Sequence, residues 1–164
     1  MAENIVFIGL GSNLGDREKA LNDARIKMRS QFRLVDQSNI YETPAWGYEN
    51  QPHFLNQAIK VQTSLSPINT LKTLKQIEKE MGRKPSFRYG PRVIDLDILF
   101  FNDEIIKIEK VLTIPHPELV NRGFVLMPLL DIAADMIHPV EQKTISDLAK
   151  NVDAIGIRKI NVNR

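Results

Sequence analysis

The chain has no cysteine, which excludes disulfides and thiolate metal sites. It also lacks any apolar run near the length of a membrane span, and Met1-Ala2-Glu3-Asn4 offers no basic leader region. A cytoplasmic protein with no membrane partner is the expectation. Charge of one sign is lacking as well. The net charge is +2 with 26% charged residues, so no global field favours nucleic acid, and basic residues matter only where they cluster. Tryptophan occurs once, at Trp46. What is present is a 43% hydrophobic chain of 164 residues, enough for one domain over 1–164 with a real core, expected as a monomer.

The most informative stretch is Arg88-Tyr89-Gly90-Pro91-Arg92 followed by Val93 to Phe101. A basic, Gly/Pro-punctuated loop here precedes an apolar segment that contains Asp95 and Asp97. Val, Ile, Leu and Phe predict a strand, and its period of two sends both aspartates to one face, with Ile94, Leu96, Ile98 and Phe100 on the other. Two carboxylates in an apolar strand repel each other and lose solvation, a cost that cations offset. Two hard oxygen ligands suit magnesium, which takes its remaining positions from water and phosphates. Arg88 and Arg92 lie nearby, and guanidinium matches phosphate geometry. The competing interpretation is an exposed edge strand whose aspartates form surface ion pairs.

In chain order, Ile5 to Leu10 predicts a strand, and Leu21, Ala24 and Met28 mark a helix after the turn Gly11-Ser12-Asn13-Leu14-Gly15. The glycines approach a dinucleotide fingerprint, but Leu14 stands where the third glycine belongs and no Gly-Lys-Ser/Thr follows, so they are expected to serve turn geometry. Phe32 to Tyr41 predicts a strand, Glu42 to Pro52 a long loop carrying Trp46, and Phe54 to Thr63 another strand with Phe54 and Asn56 on one face. Ser66 and Pro67 open a helix with the stripe Ile68, Leu71, Leu74, Ile77 and Met81, ending at Gly82. Glu78, at the edge of that stripe, is either a solvated charge or a polar contact at a site.

Residues 83–92 hold four cations among prolines and aromatics, the pattern of an anion-binding loop. Asn102-Asp103 predicts a hairpin into Glu104 to Ile108, with a further short strand at Lys110 to Ile114. His116 lies between prolines, a placement suited to a phosphate contact. Val125 to Ala134 and Thr144 to Lys150 read as helices; His138 and the tail carry no signal. The order strand, helix, strand, strand, helix, strand predicts an α+β, ferredoxin-like two-layer sandwich: a mainly antiparallel sheet, helices on one face, and extra C-terminal elements. The other face is expected to be free for a ligand.

The segments Gly11-Ser12-Asn13-Leu14-Gly15, Tyr41-Glu42-Thr43-Pro44, Phe54-Leu55-Asn56, Gly82-Arg83, Arg88 to Arg92 with Asp95-Leu96-Asp97, Pro115-His116 and Asn121-Arg122-Gly123-Phe124 together resemble the 6-hydroxymethyl-7,8-dihydropterin pyrophosphokinase family. The resemblance implies pyrophosphoryl transfer from ATP to the pterin hydroxymethyl group, giving AMP, in folate biosynthesis. It implies two magnesium ions on Asp95 and Asp97. The pterin would lie between Phe54 and Phe124, with Asn56 at its polar edge and backbone contacts from Thr43, Pro44 and Trp46. ATP would meet Arg83, Arg88, Arg92, His116 and Arg122, with Leu71, Glu78, Ile98 and Thr113 nearby, and Arg83, Arg92 and Asp97 would serve catalysis.

The chain departs from the family pattern at Tyr89, Pro85, Val111 and Lys75; Lys84 or Lys110 would have to replace the phosphate contacts that Pro85 and Val111 cannot make. Two rival classes are a metal-dependent phosphohydrolase, which needs no pterin pocket, and an RNA-binding module. The second would want basic and aromatic residues where a central strand is expected to carry two carboxylates.

Overall fold

A computed structural model describes residues 3–45, 50–83 and 90–160. Strand β1 (Asn4–Ser12) leads into helix α1 (Arg17–Met28), whose N-cap Asp16 accepts from the Lys19 amide at 3.1 Å. Strands β2 (Arg33–Gln37), β3 (Ile40–Thr43) and β4 (Phe54–Thr63) follow, then α2 (Pro67–Glu80). Ser66 caps α2 through the Asn69 amide, Pro67 sits where no N–H is needed, and Gly82 leaves the helix at φ +86°. Strand β5 (Asp95–Phe101) carries the aspartates. Beyond it come β6 (Ile106–Ile108), β7 (Leu112–Ile114), a short 3₁₀ turn (Leu119–Asn121), α3 (Gly123–Ala133), α4 (Ile145–Ala149) and β8 (Arg158–Ile160).

The sheet order is β5-β1-β4-β3-β8, with β2 also paired to β4 and every pairing antiparallel. Helices α1 and α2 pack on one face, over a core that includes Ile8, Leu10, Leu21, Leu74, Ile77 and Leu96. This is the expected ferredoxin-like sandwich. Among the described residues no helix is long and apolar enough to cross a membrane.

Four local expectations need correction. The strand expected over Phe32 to Tyr41 is two strands. Between them Ser38 turns inward, its N–H donating to the Ala58 carbonyl and its hydroxyl accepting from the Ala58 N–H, both at 2.9 Å, so hydrogen bonding to β4 continues across the break. Asn102 does not fold β6 back on β5. It sits at φ 51° and closes on β1 through the Ile5 amide, and among the described residues β6 pairs with β7 alone.

The alternation of β5 is broken where Phe7 faces Phe100 but Ile8 faces Ile98, leaving Leu99 as an extra residue. Phe100 therefore joins Leu99 on the aspartate side instead of Ile98. Finally, the second sheet face is only partly free. Helices α3 and α4 cover one end of it, burying Leu126, Leu129, Ile145 and Leu148 against Phe7, Ala58, Leu99 and Phe100.

Candidate active site

The uncovered end of that second face is a sheet floor built by three strands. Asp95 stands opposite Gly11 and Gly11 opposite Asn56, while Asp97 stands opposite Gly9 and Gly9 opposite Ala58. Cross-strand partners share a face, so the two aspartates and the Phe54/Asn56 pair flank a strip with almost no side chain. Gly11 was expected to open a turn, yet it lies with Gly9 inside β1. A Cβ on Gly11 would come within 2.8 Å of the Asn56 Oδ1, so glycine there is a matter of close approach to a site residue. Of this motif only Gly15 has a positive φ.

Above the floor is a cavity of about 600 Å³ that gathers Thr43, Pro44, Phe54, Asn56 and Phe124 on one side of the aspartates. On the other side it runs around the margin of β5 to Leu71, Lys75 and Glu78 of α2, Arg83, Arg92, Ile98, Lys110, Val111, Thr113, His116 and Arg122. Of the implied site residues, Trp46 and Arg88 lie outside the described residues, as do Lys84, Pro85 and Tyr89. The aspartate strand was expected to be central. It is the terminal strand of the sheet, because the chain leaves it for the β6–β7 pair, and this exposed margin is what lets the cavity wrap around it.

An unpaired margin leaves backbone groups to satisfy, and α2 answers one of them. Glu78, only 5% exposed, accepts from the Leu96 N–H at 2.8 Å through one oxygen and from Arg83 at 2.7 Å through the other. Of the two alternatives open in the sequence, it makes the polar contact. Burial and the Asp95 charge raise its pKa, against the Leu96 N–H and Arg83. Arg83 also reaches Asp95 at 3.2 Å, and Arg92 approaches the same oxygen at 3.9 Å.

Burial first, then the Asp97 charge, push Asp95 up to about 6 despite Arg83, Arg92 and Arg122. Asp97 is raised too, by burial and the Glu78 charge. Its carboxylate opens to the cavity while protein encloses its other sides, so it is exposed and yet poorly solvated. Among the described residues no three His, Cys, Asp or Glu side chains converge on a metal position. Two under-solvated carboxylates with no third protein ligand fit magnesium bound jointly by protein and phosphates.

Asn13, unassigned by the sequence reading beyond its motif, proves to be a hub. Only 2% exposed, it accepts from the Arg92 N–H at 2.8 Å, donates its own N–H to the Arg92 carbonyl at 3.0 Å, and donates through its amide to Gln51 and the Pro52 carbonyl, both at 2.9 Å. It thereby ties the end of one loop to the other. In the sequence it was only a polar residue in an expected turn, and its burial becomes visible in the fold.

His116 Nδ1 accepts from the Glu118 N–H at 3.3 Å, which leaves the proton on Nε2 as a donor. Burial, then the Arg122 charge, lower His116 to about 4, against Glu118, so it is neutral at physiological pH. Arg122 pairs with Glu118 and lies 5.4 Å from the Phe124 ring centre. Asn56 donates to the Thr43 hydroxyl at 2.7 Å, which fixes its amide orientation.

The profile of the family described as 7,8-dihydro-6-hydroxymethylpterin-pyrophosphokinase (HPPK) matches residues 7–134. The chain belongs to the HPPK family. All the site residues that the resemblance implies, from Thr43 to Phe124, fall inside the HPPK match. The 2-amino-4-hydroxy-6-hydroxymethyldihydropteridine pyrophosphokinase of Bacillus subtilis (strain 168) is 47% identical over 157 residues, 94% of this chain and 89% of that protein. The protein of the same name from Aquifex aeolicus (strain VF5) is 45% identical over 142 residues, 87% of this chain and 88% of its own length. A crystal structure of Plasmodium falciparum HPPK-DHPS with pterin and p-hydroxybenzoate superposes with a TM-score of 0.77 at 18% identity, over 98% of this chain and 47% of that one. At that identity the likeness speaks for the fold.

Proposed function

We propose that this chain transfers the pyrophosphoryl group of ATP to the hydroxymethyl oxygen of 6-hydroxymethyl-7,8-dihydropterin, releasing AMP, as a step of folate biosynthesis. The observation that carries the reading is a single cavity in which two under-solvated carboxylates separate an arginine and histidine cluster from an aromatic and amide cluster. The first cluster suits a polyphosphate. The second suits a flat heterocycle with polar edges.

In this reading Phe54 and Phe124 sandwich the pterin. Asn56 faces its donor and acceptor edge, and Thr43 holds the Asn56 amide in one orientation. Thr43, Pro44 and Trp46 add backbone contacts. Leu71, Ile98 and Thr113 border the nucleotide, and Arg88, Arg122 and neutral His116 contact its phosphates, His116 through Nε2–H. Glu78 acts on ATP through Arg83, whose guanidinium it holds. Lys110 supplies charge in place of the contacts that Val111 and Pro85 cannot make, and Lys75, itself a departure from the family pattern, adds a further cation to the same wall.

Asp95 and Asp97 would hold two magnesium ions, which when bound neutralise phosphate charge and favour transfer between oxygens. Phosphoryl chemistry asks the protein mainly for position and charge. Arg83 and Arg92 support negative charge on the moving group as the bond to the α-phosphate oxygen breaks, and Asp97 orients the accepting hydroxyl.

We read residues 1–164 as one domain and the enzyme as a cytoplasmic monomer acting on small molecules; the low net charge supports its working without nucleic acid or membrane. Chromatography of a single-turnover reaction tests the chemistry. One AMP per pterin diphosphate is expected, and stoichiometric ADP with a monophosphorylated pterin would refute it. Inorganic products without pterin consumption would favour the phosphohydrolase.

A further inference from the structure

The family match ends at residue 134, yet the chain beyond it returns to the pterin side of the cavity. After α4 it forms a tight turn, with Asp153 Oδ1 accepting from the Ile155 N–H at 2.8 Å and the Ile157 N–H donating to the Ala154 carbonyl at 3.1 Å. It then adds β8 to the outer side of β3, with Ile160, Lys159 and Arg158 opposite Ile40, Tyr41 and Glu42.

Three contacts fix this turn to the walls of the pterin subsite. Gly123, the residue before Phe124, lies so close to the turn that a Cβ there would meet the Asp153 carbonyl at 2.6 Å and Ile157 at 2.9 Å. Gly156, at φ +80°, lies against Pro44, and a Cβ there would meet its ring at 2.8 Å. Arg158 pairs with Glu42, which also holds Arg17 at 3.0 Å, and Arg17 donates to the carbonyl of His53, the residue before Phe54, at 2.9 Å. One short segment thus abuts Pro44 and the chain at Phe124, and is linked to the chain at Phe54. None of these contacts involves the aspartates, Arg83, Arg92 or His116.

We propose that residues 153–158 form a brace that sets the spacing of the pterin subsite, with Gly156 and Arg158 as positioning residues for pterin and not for ATP. The proposal rests on the pyrophosphokinase reading. Its energetic weight lies in the close-packed glycine contacts. The Arg158–Glu42 pair contributes less, because the Arg158 side chain is 71% exposed and such pairs are screened by solvent. At Gly156 a side chain meets both a strained backbone angle and the Pro44 ring, so relief requires the turn or Pro44 to move.

The test is calorimetric titration of the full-length wild type, Gly156→Ala, Gly156→Val, Arg158→Ala and Arg158→Lys. Each is titrated with the hydroxymethyl pterin in the presence of a non-hydrolysable ATP analogue, and separately with the analogue alone. Gly156→Val should raise the pterin Kd about tenfold and Gly156→Ala less, with ATP-analogue affinity within about twofold of wild type. Arg158→Ala should raise the pterin Kd about two- to threefold at low salt, with recovery in Arg158→Lys. If Gly156→Val fails to fold, Gly156→Ala and the Arg158 pair carry the test. Equal losses for pterin and nucleotide would reduce the segment to general structural support, and unchanged pterin affinity in the folded variants would remove the brace. Failure of the wild type to bind pterin would instead strike the functional reading on which the brace depends.

Discussion

One face of the sheet has a dry end and a wet end, made by the same three strands. At the dry end Phe7, Ala58, Leu99 and Phe100 lie under Leu119, Leu126, Leu129, Ile145 and Leu148. Two to four residues along each strand, the face carries Gly9 and Gly11, Asn56 and Phe54, Asp97 and Asp95, and no helix among the described residues covers them. Apolar bulk draws α3 and α4 onto the first end. The missing side chains and the charges leave the second open as a cavity. Pairing of β1 with β4 is continuous through both, so that part of the site inherits the rigidity of the covered half.

The sharpest way to test this division is to strip each end in turn. Asp97→Ala and Asp95→Ala should lower turnover by roughly a thousandfold or more, since each 1.4 kcal/mol or so of transition-state stabilisation is worth about tenfold. Their melting temperatures should stay equal or rise, because each change removes one of two mutually repelling, poorly solvated carboxylates. Near-wild-type turnover of both variants at saturating magnesium would eliminate the metal role. Leu129→Ala should do the reverse. It opens a hole among fully buried residues, costing roughly 2–5 kcal/mol of stability, with kcat preserved in the folded fraction. Urea denaturation and steady-state kinetics on the same preparations separate the two effects.

Within the wet end the pterin and phosphate sides should also part. Phe124→Ala and Phe54→Ala should each weaken pterin binding by about 1–3 kcal/mol, as expected for loss of an aromatic face under a flat heterocycle. ATP affinity should move much less, and equal losses for both ligands would mean that these rings are core supports. Gly11→Ala is a subtler version. Its new methyl would press on an Asn56 amide already tethered to Thr43, so a roughly tenfold weaker pterin Kd is expected with ATP binding intact. In an Asn56→Ala background, which already lacks the amide, Gly11→Ala should cause no further loss of pterin affinity, and an added loss there would place the strain elsewhere.

The sequence showed most where a local pattern carries the physics. The Asp95/Asp97 pair, the Ser66-Pro67 helix start and the arginines near the aspartates follow from spacing alone. What stayed hidden depends on partners distant in the chain. Glycines within a strand and glycines within a turn look alike in one segment, and only the placement of Asn56 across from Gly11 distinguishes them. The extra residue at Leu99, and with it the turn of Phe100 to the other face, is decided by pairing with β1. The terminal position of β5 was misjudged because it depends on where the chain goes next. β8 has only three residues, too few for an alternation to register. The roles of individual site residues came from the family resemblance, with the physical reading supplying the magnesium and phosphate chemistry.

The smallest expected effect concerns His116, on the phosphate side, and it has a definite sign. Its folded-state pKa of about 4 lies below the ordinary 6.5, because burial and the nearby Arg122 disfavour the charged ring. Above pH 6.5 the imidazole is neutral in folded and unfolded chains alike, and its contribution to stability is fully present. As pH falls through 6.5 the unfolded chain takes up a proton that the folded chain refuses, so stability is lost progressively until about pH 4, where the folded form also protonates. Because the ring is partly exposed, solvent screening reduces the loss to roughly 1–2 kcal/mol. His116→Gln has no such proton to take up. Urea midpoints measured at pH 7.5 and pH 4.5 should therefore fall further for the wild type than for the variant, with unchanged slopes. Parallel behaviour would mean that the ring titrates normally and that ATP meets an imidazolium in mildly acidic solution, whereas the geometry at Glu118 makes His116 an uncharged Nε2–H donor at neutral pH.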